Sequence, residues 1–228
     1  MSTCAILFIK NPVSGAVKTR LQPELTPDEA ATLYAAFVLD CVETLRAVNA
    51  DRKIIAYTPA SQKDEIELFL GELAPLCELK PQPQTDLGDR LSQMMQQSFL
   101  DGAKRTVIIG SDSPSLPAAI IDGGLQMLRE CDIVLGPCTD GGYYLVGQST
   151  PDASLFERID WSTGHVLQQT LEAAENAKLG LLTPWYDVDT AEDAAFLRVH
   201  LRALEQSGEK RGTRSLIVLK SLELPAPS

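Results

Sequence analysis

The chain has 228 residues, 44% of them hydrophobic and 22% charged, with 20 Lys and Arg against 31 Asp and Glu and a net charge of −11. That length buries a sizeable core without disulfides or metal, and the acidic balance argues against nucleic acid and anionic membrane as partners, because both need a basic face. Five scattered cysteines without a CxxC pair fit a reducing compartment, two histidines exclude a multi-histidine zinc site, and no apolar run approaches the roughly 18 residues of a membrane span.

Cys4–Ile9 is an apolar run that reads as a buried strand, entered directly from Met-Ser-Thr without a basic leader, so a cytoplasmic location is expected. The loop that follows holds Lys10, Gly15, Lys18 and Arg20, and no acid precedes Glu24. A cationic loop after the first strand of an α/β protein is where a phosphate is held. Arg grips two oxygens, Lys supplies a point charge, and Gly15 lets backbone approach. The loop lacks GxxxxGK[ST] and GxGxxG, and the residues alone leave a solvated surface turn equally open. Thr26-Pro27-Asp28-Glu29 starts a helix over 27–48, with Thr26 as its cap. A strand at 53–57 and a helix at 61–73 come next, then a helix over 86–101 whose first turn carries Gly88 and Arg90. A basic residue at a helix start is unfavourable unless an anion is near.

Thr106–Gly110 is a β-branched run of the kind parallel sheets bury. Asp112 stands on the turn after it, before Pro114, placed either to hold Mg²⁺ or Mn²⁺ or to cap the helix expected over 117–129. A strand at 131–135 leads to Asp140-Gly141-Gly142, which suits close backbone approach to a ligand and equally a hairpin turn, and Tyr143 and Tyr144 alternate beyond it, so at most one faces a pocket. Cys138, Trp161 and Trp185 read as packing residues and His165 as surface. A helix at 162–177 and a strand at 179–182 precede Asp187-Val-Asp189-Thr190, whose two acids share a side if extended and call for a cation. Thr190 also caps a helix over 190–206. Residues 1–207 read as one domain and 208–228 as a tail, in which Leu216–Leu219 is either a terminal edge strand or a partner contact. Alternating strands and helices imply a doubly wound, mostly parallel sheet with helices on both faces and its ligand at the strand ends.

Taken in order, Lys10-x-Pro12-x-x-Gly15-x-Val17-Lys18-Thr19-Arg20-Leu21, Asp86-Leu-Gly-Asp-Arg90, Gly110-Ser-Asp-Ser-Pro114, Gly136–Gly147, Trp161-Ser-Thr163 and Asp187-Val-Asp189-Thr190 resemble the bacterial glycosyltransferase-A-like family of nucleotide-diphospho-sugar transferases. Some members are assigned to arsenosugar biosynthesis, and the fold is similar to that of the molybdenum-cofactor and phospholactate guanylyltransferases. The resemblance spans roughly residues 4–200. Cys138 stands where an alanine is usual, and Gln84-Thr85 replaces a Gly-rich pair. The resemblance implies a metal-dependent glycosyltransferase with a nucleotide-diphosphate sugar donor and a small acceptor. Lys18 and Arg20, with Lys10 or Arg90, would neutralise the diphosphate near Gly15 and Gly88. Asp112, with Asp187 or Asp189, would hold Mg²⁺ or Mn²⁺. Asp140 would contact the donor sugar or serve as acceptor base, with Gly141, Gly142 and Tyr143 lining that side. The alternatives are a nucleotidylyltransferase that moves NMP from an NTP to a phosphorylated acceptor, releasing pyrophosphate, and a non-catalytic nucleotide-binding protein. The oligomeric state stays open, a homodimer included.

Overall fold

A computed structural model describes residues 2–225. Strands β1 (Thr3–Lys10), β2 (Arg52–Thr58), β3 (Glu78–Pro81), β4 (Arg105–Ile109), β5 (Ile133–Pro137), β6 (Tyr143–Gln148) and β7 (Leu179–Leu181) form one sheet in the order β3-β2-β1-β4-β6-β5-β7. All neighbours pair in parallel except β6, which runs antiparallel to both β4 and β5. The helices are α1 (Pro27–Ala47), α2 (Lys63–Leu70), α3 (Leu87–Leu100), α4 (Ala118–Met127), α5 (Val166–Ala173), α6 (Ala191–Ser207) and α7 (Thr213–Leu219). This is the expected α/β architecture, a mostly parallel sheet with helices packed on it.

The central strands β1, β4 and β5 are buried on both faces, and their side chains alternate between two cores. Ala5, Leu7 and Ile9 of β1 join Ile55 and Tyr57 of β2 and Val107 and Ile109 of β4 in the layer under α1, α2, α4, α6 and α7. Cys4 and Ile6 join Ile54, Ala56, Ile108 and Leu135 in the layer that carries Leu91, Met94 and Met95 of α3. Helix α1 begins with a capping box: Thr26 Oγ1 accepts from the Glu29 N–H while the Glu29 carboxylate accepts from Thr26 N–H, with Pro27 at the first position. A second box, Thr190 with Asp193, starts α6.

Within the tail, Thr213–Leu219 is helical where an edge strand is one expectation. Four consecutive apolar residues fit either form, and tertiary contacts decide. Asp40, buried in α1, accepts hydrogen bonds from Arg214 N (3.2 Å), Ser215 N (2.8 Å) and Ser215 Oγ (2.6 Å), so its carboxylate caps α7. Leu216 and Leu219 then enter the α1-side core. The sheet's order turns between β1 and β4, because β2 and β3 continue to one side and β6, β5 and β7 to the other. Such a switch point opens a crevice at the carboxyl ends of the strands.

Candidate active site

The loops after β1 and β4 meet at that crevice. Tyr34 of α1 joins their roots: its buried hydroxyl accepts from Lys10 N–H at 3.0 Å and hydrogen-bonds Ser111 Oγ at 2.8 Å. Farther out, Lys18 from the β1 loop reaches Asp112 from the β4 loop at 2.6 Å. It also reaches Asp189 Oδ1 at 2.9 Å and the Val188 carbonyl at 2.6 Å. Arg20 pairs with the other Asp189 oxygen at 3.1 Å, although its own side chain is 61% exposed. Burial alone would push the Asp189 carboxyl up, but Lys18, Arg20 and Lys10 outweigh it and hold the group below the usual carboxylate range. Burial likewise pulls the Lys18 ammonium down, and Asp112 and Asp189 more than reverse it.

A second cluster is acidic. The β5–β6 hairpin turns at Asp140-Gly141-Gly142, with Gly142 N–H donating to Asp140 Oδ1 at 2.8 Å. The segment before α6 pairs with this hairpin: Trp185 N–H donates to the Pro137 carbonyl at 3.0 Å, and Cys138 and Trp185 form a parallel bridge. Two residues on, Asp187 faces Asp140, and the ligand atoms of Cys138, Asp140 and Asp187 all lie within 4.8 Å of one another. Burial, then the neighbouring charges of Asp140, Asp189 and Asp112, push the Asp187 carboxyl up to about 6. Burial, reinforced by Asp187 and Asp140, also pushes the Cys138 thiol up, so it stays protonated. A protonated thiol is no ligand for a hard cation, whereas two crowded carboxylates are. The donor set therefore fits Mg²⁺ or Mn²⁺ at Asp140 and Asp187.

The expected site residues separate accordingly. Lys10 ends β1, and Gly15, Lys18, Arg20, Asp112, Asp140, Asp187 and Asp189 all lie in the connections beyond the carboxyl ends of the parallel strands; Gly15 adopts φ +77 with open space where a side chain would stand. Asp112 and Asp189 are drawn to Lys18 instead of joining Asp187 in one metal shell. Gly88 is a packing glycine: a Cβ there would lie 2.7 Å from both the Phe156 carbonyl oxygen and Trp161 Nε1. Arg90 Nε donates to the Thr85 carbonyl at 2.7 Å, and its side chain remains at the exposed start of α3. Gly141, at φ +90, serves a close approach within the protein, since a Cβ would stand 2.4 Å from the Gly164 carbonyl oxygen. Tyr143 is the inward member of its pair for the α3-side core. Its ring meets Trp161 edge-on at 6.3 Å, and its hydroxyl is buried.

Sequence reasoning missed three contributors. Cys138 packs into the α1-side core as expected; what the sequence did not disclose is its place beside both acids, for which its position two residues before Asp140 is the available signal. Tyr34 lies one residue after Leu33 on the buried side of α1, where a hydroxyl must find partners. The third is a chain that docks the Asp187 segment onto the β4 loop. Trp185 Nε1 donates to Ser115 Oγ (3.2 Å), Ser115 Oγ donates to the Tyr186 hydroxyl (2.9 Å), and that hydroxyl meets His200 Nδ1 (2.6 Å).

A mostly parallel sheet whose switch-point loops set fixed cations beside paired carboxylates matches the nucleotide-binding transferase class of α/β fold. Within it, the chain belongs to the bacterial family described as "Uncharacterized protein conserved in bacteria (DUF2064)", whose model matches residues 41–163. It is similar to a crystal structure from Desulfovibrio desulfuricans G20 provisionally named nucleotide-diphospho-sugar transferase, at 35% identity, with 96% of this chain and 95% of that one covered and a TM-score of 0.86. It is 29% identical over 209 residues to 2-phospho-L-lactate guanylyltransferase of Methanothermobacter thermautotrophicus, covering 88% of this chain and 86% of that protein. It is 30% identical over 154 residues to phosphoenolpyruvate guanylyltransferase of Sphaerobacter thermophilus, covering 67% and 71%. Among the described residues no helix is long and apolar enough to cross a membrane.

Proposed function

We propose that this protein is a metal-assisted nucleotidylyltransferase that moves NMP from an NTP, GTP first, onto a phosphorylated small acid. The observation that carries the reading is the alignment with a guanylyltransferase across 88% of the chain. Nucleotidyl transfer thereby takes precedence over the glycosyl transfer first expected from the sequence.

In this reaction an acceptor phosphate oxygen attacks the α-phosphorus, the bond from that phosphorus to the bridging oxygen breaks, and pyrophosphate leaves with the bond's electrons. Negative charge grows on the leaving group, so fixed cations there favour the transition state over the ground state. Arg20 and Lys10 are the side chains for that task, because both are exposed, whereas Lys18 has committed its three N–H groups to protein oxygens. Asp140 and Asp187 would hold Mg²⁺ or Mn²⁺, which when bound neutralises phosphate charge and orients the α-phosphate. The Gly142 N–H and the Cys138–Trp185 bridge fix those two carboxylates before substrate arrives, which lowers the cost of ordering.

The name of the D. desulfuricans neighbour favours a second reading, glycosyl transfer from a nucleotide-diphosphate sugar. The two reactions break different bonds. Incubation with each NTP, Mg²⁺ or Mn²⁺, and 2-phospholactate or phosphoenolpyruvate is expected to release pyrophosphate in step with acceptor consumption. Nucleoside diphosphate from a nucleotide sugar, with no pyrophosphate from any NTP, would overturn the proposal. Nucleotide binding without turnover of either kind would favour a sensor.

A further inference from the structure

The loop after β4 and the segment before α6 are joined at two levels. In the main chain, Ser113 Oγ donates to the Tyr186 carbonyl at 2.9 Å, and Val188 N–H donates to the Asp112 carbonyl at 3.0 Å. Side chains add the run from Trp185 through Ser115 and Tyr186 to His200 of α6, and this run has a direction. An indole N–H can only donate, and Trp185 gives its proton to Ser115 Oγ at 3.2 Å. Ser115 is fully buried, so its own O–H needs an acceptor, which the Tyr186 oxygen provides at 2.9 Å. The Tyr186 O–H then points onward to His200 Nδ1 at 2.6 Å. Every hydrogen in the run is matched only if Nδ1 offers a lone pair, which makes His200 a neutral imidazole with its proton on Nε2. A proton on Nδ1 would leave the Tyr186 hydrogen without an acceptor. The surroundings favour the neutral form. The rings of Trp185, Tyr186 and Phe196 stand around the imidazole. From the turn between α6 and α7, Arg211 donates to the Ser115 carbonyl at 2.8 Å. Burial, then the Arg211 charge, hold the His200 pKa below its ordinary value against the opposing pull of Glu209.

We propose that His200 is a positioning residue of the candidate site: as the neutral imidazole protonated on Nε2, it ends this run and thereby holds residues 185–188 against the β4 loop. It touches no reacting atom. The inference rests on the nucleotidyl-transfer reading only for what the held segment, which carries Asp187, goes on to do. Because the folded pKa of His200 lies below the unfolded value near 6.5, the hold is fully present above about pH 6.5 and is lost as pH falls through the folded value. Asp187 also titrates on the acid side, so variants of His200 are needed to separate the two.

The test pairs His200→Asn, whose Oδ1 stands in for Nδ1 and does not titrate, with His200→Phe, which fills the space without an acceptor. Nitrogen NMR of the chain's two histidines, assigned through His200→Asn, is expected to show His200 protonated on Nε2 at pH 7.5; a proton on Nδ1 would overturn the proposal. Amide hydrogen exchange of residues 185–188 at pH 7.5 is expected to be about tenfold faster in His200→Phe than in wild type, the worth of one hydrogen bond, and unchanged in His200→Asn. One pH unit below the His200 pKa that NMR measures, wild type should exchange about tenfold faster than His200→Asn. Equal exchange in wild type and His200→Phe, no rescue by His200→Asn, or a ratio of wild type to His200→Asn that ignores pH would each overturn the proposal. The pH comparison decides alone should His200→Phe fail to fold. Pyrophosphate release from NTP, read in parallel, should rank the three proteins in the same order. The expected exchange pattern with no turnover of any NTP would refute the nucleotidyl-transfer reading and leave the role of His200 in place.

Discussion

Asp187 and Asp189 stand two positions apart and end in opposite electrostatic company. Asp189 lies among Lys18, Arg20 and Lys10, which favour its charge; Asp187 is half-buried beside Asp140 and is pushed up to about 6. Its folded value exceeds its unfolded one, so its contribution to stability is fully present below the unfolded pKa near 4 and is lost as pH rises through 6. Asp187→Asn is therefore expected to raise the melting temperature of the ion-free protein at pH 7.5 but not at pH 4.5, and to abolish the rise caused by Mn²⁺. An unchanged Mn²⁺ response would show that the ion binds elsewhere. Because the ion binds the ionised carboxylate, its affinity in wild type should climb about tenfold between pH 5 and pH 7, which isothermal titration reads directly. Arg20 offers a different test. If it meets the departing phosphates, Arg20→Ala should lower kcat/KM for the NTP about 10²-fold, with Mn²⁺ binding in the absence of nucleotide nearly unaltered; an unaltered kcat/KM would remove Arg20 from the site.

At the scale of elements, the alternation of strands and helices was legible because β-branched runs such as Thr106–Ile109 and capped starts such as Thr26-Pro27 carry their own physical signature. Strand β3 was not, because Glu-Leu-Lys-Pro at the sheet's edge has neither an apolar run nor alternation to mark it. Helix α7 was not, because the residue that fixes it, Asp40, lies more than 170 positions away. The site divides in the same way. Residue types announce the cations and acids, but not which charge neutralises which: Lys18, expected at a phosphate, pairs with Asp112 and Asp189. Gly88 looked like a phosphate contact because it opens a helix beside a basic residue, and only the approach of Trp161 and Phe156 shows that packing claims it. Asp40→Ala would leave the Ser215 N–H and hydroxyl without an acceptor in the core, at a cost of about 1–3 kcal/mol. Chemical denaturation should show that loss, and proteolysis should cut first near residues 208–215. If stability is unchanged, the cap contributes nothing to anchoring α7.

Across the whole molecule, the two charges needed for nucleotide chemistry come from opposite sides of the switch point. The cationic loop follows β1, and the carboxylates that would hold the ion come from the β5–β6 hairpin and the segment after β7. Neither side suffices for a triphosphate. Arg20 and Lys10 attract it, while Asp140 and Asp187, two crowded acids in an already acidic chain, repel it across the cleft. A divalent cation on the two acids turns that repulsion into attraction, so ion and nucleotide should each strengthen the other's binding. Thermodynamic linkage requires the two enhancements to be equal, and a coupling of about tenfold corresponds to about 1.4 kcal/mol. Titrating NTP with and without Mn²⁺, and Mn²⁺ with and without a non-hydrolysable NTP, is expected to give the same enhancement in both directions. In Asp140→Asn/Asp187→Asn the coupling should vanish, and NTP binding without the ion should tighten because the repelling charges are gone. Nucleotide affinity indifferent to Mn²⁺ in the wild type would mean that the acids face something other than phosphate, and the division of the cleft into cationic and ion-holding sides would have to be abandoned.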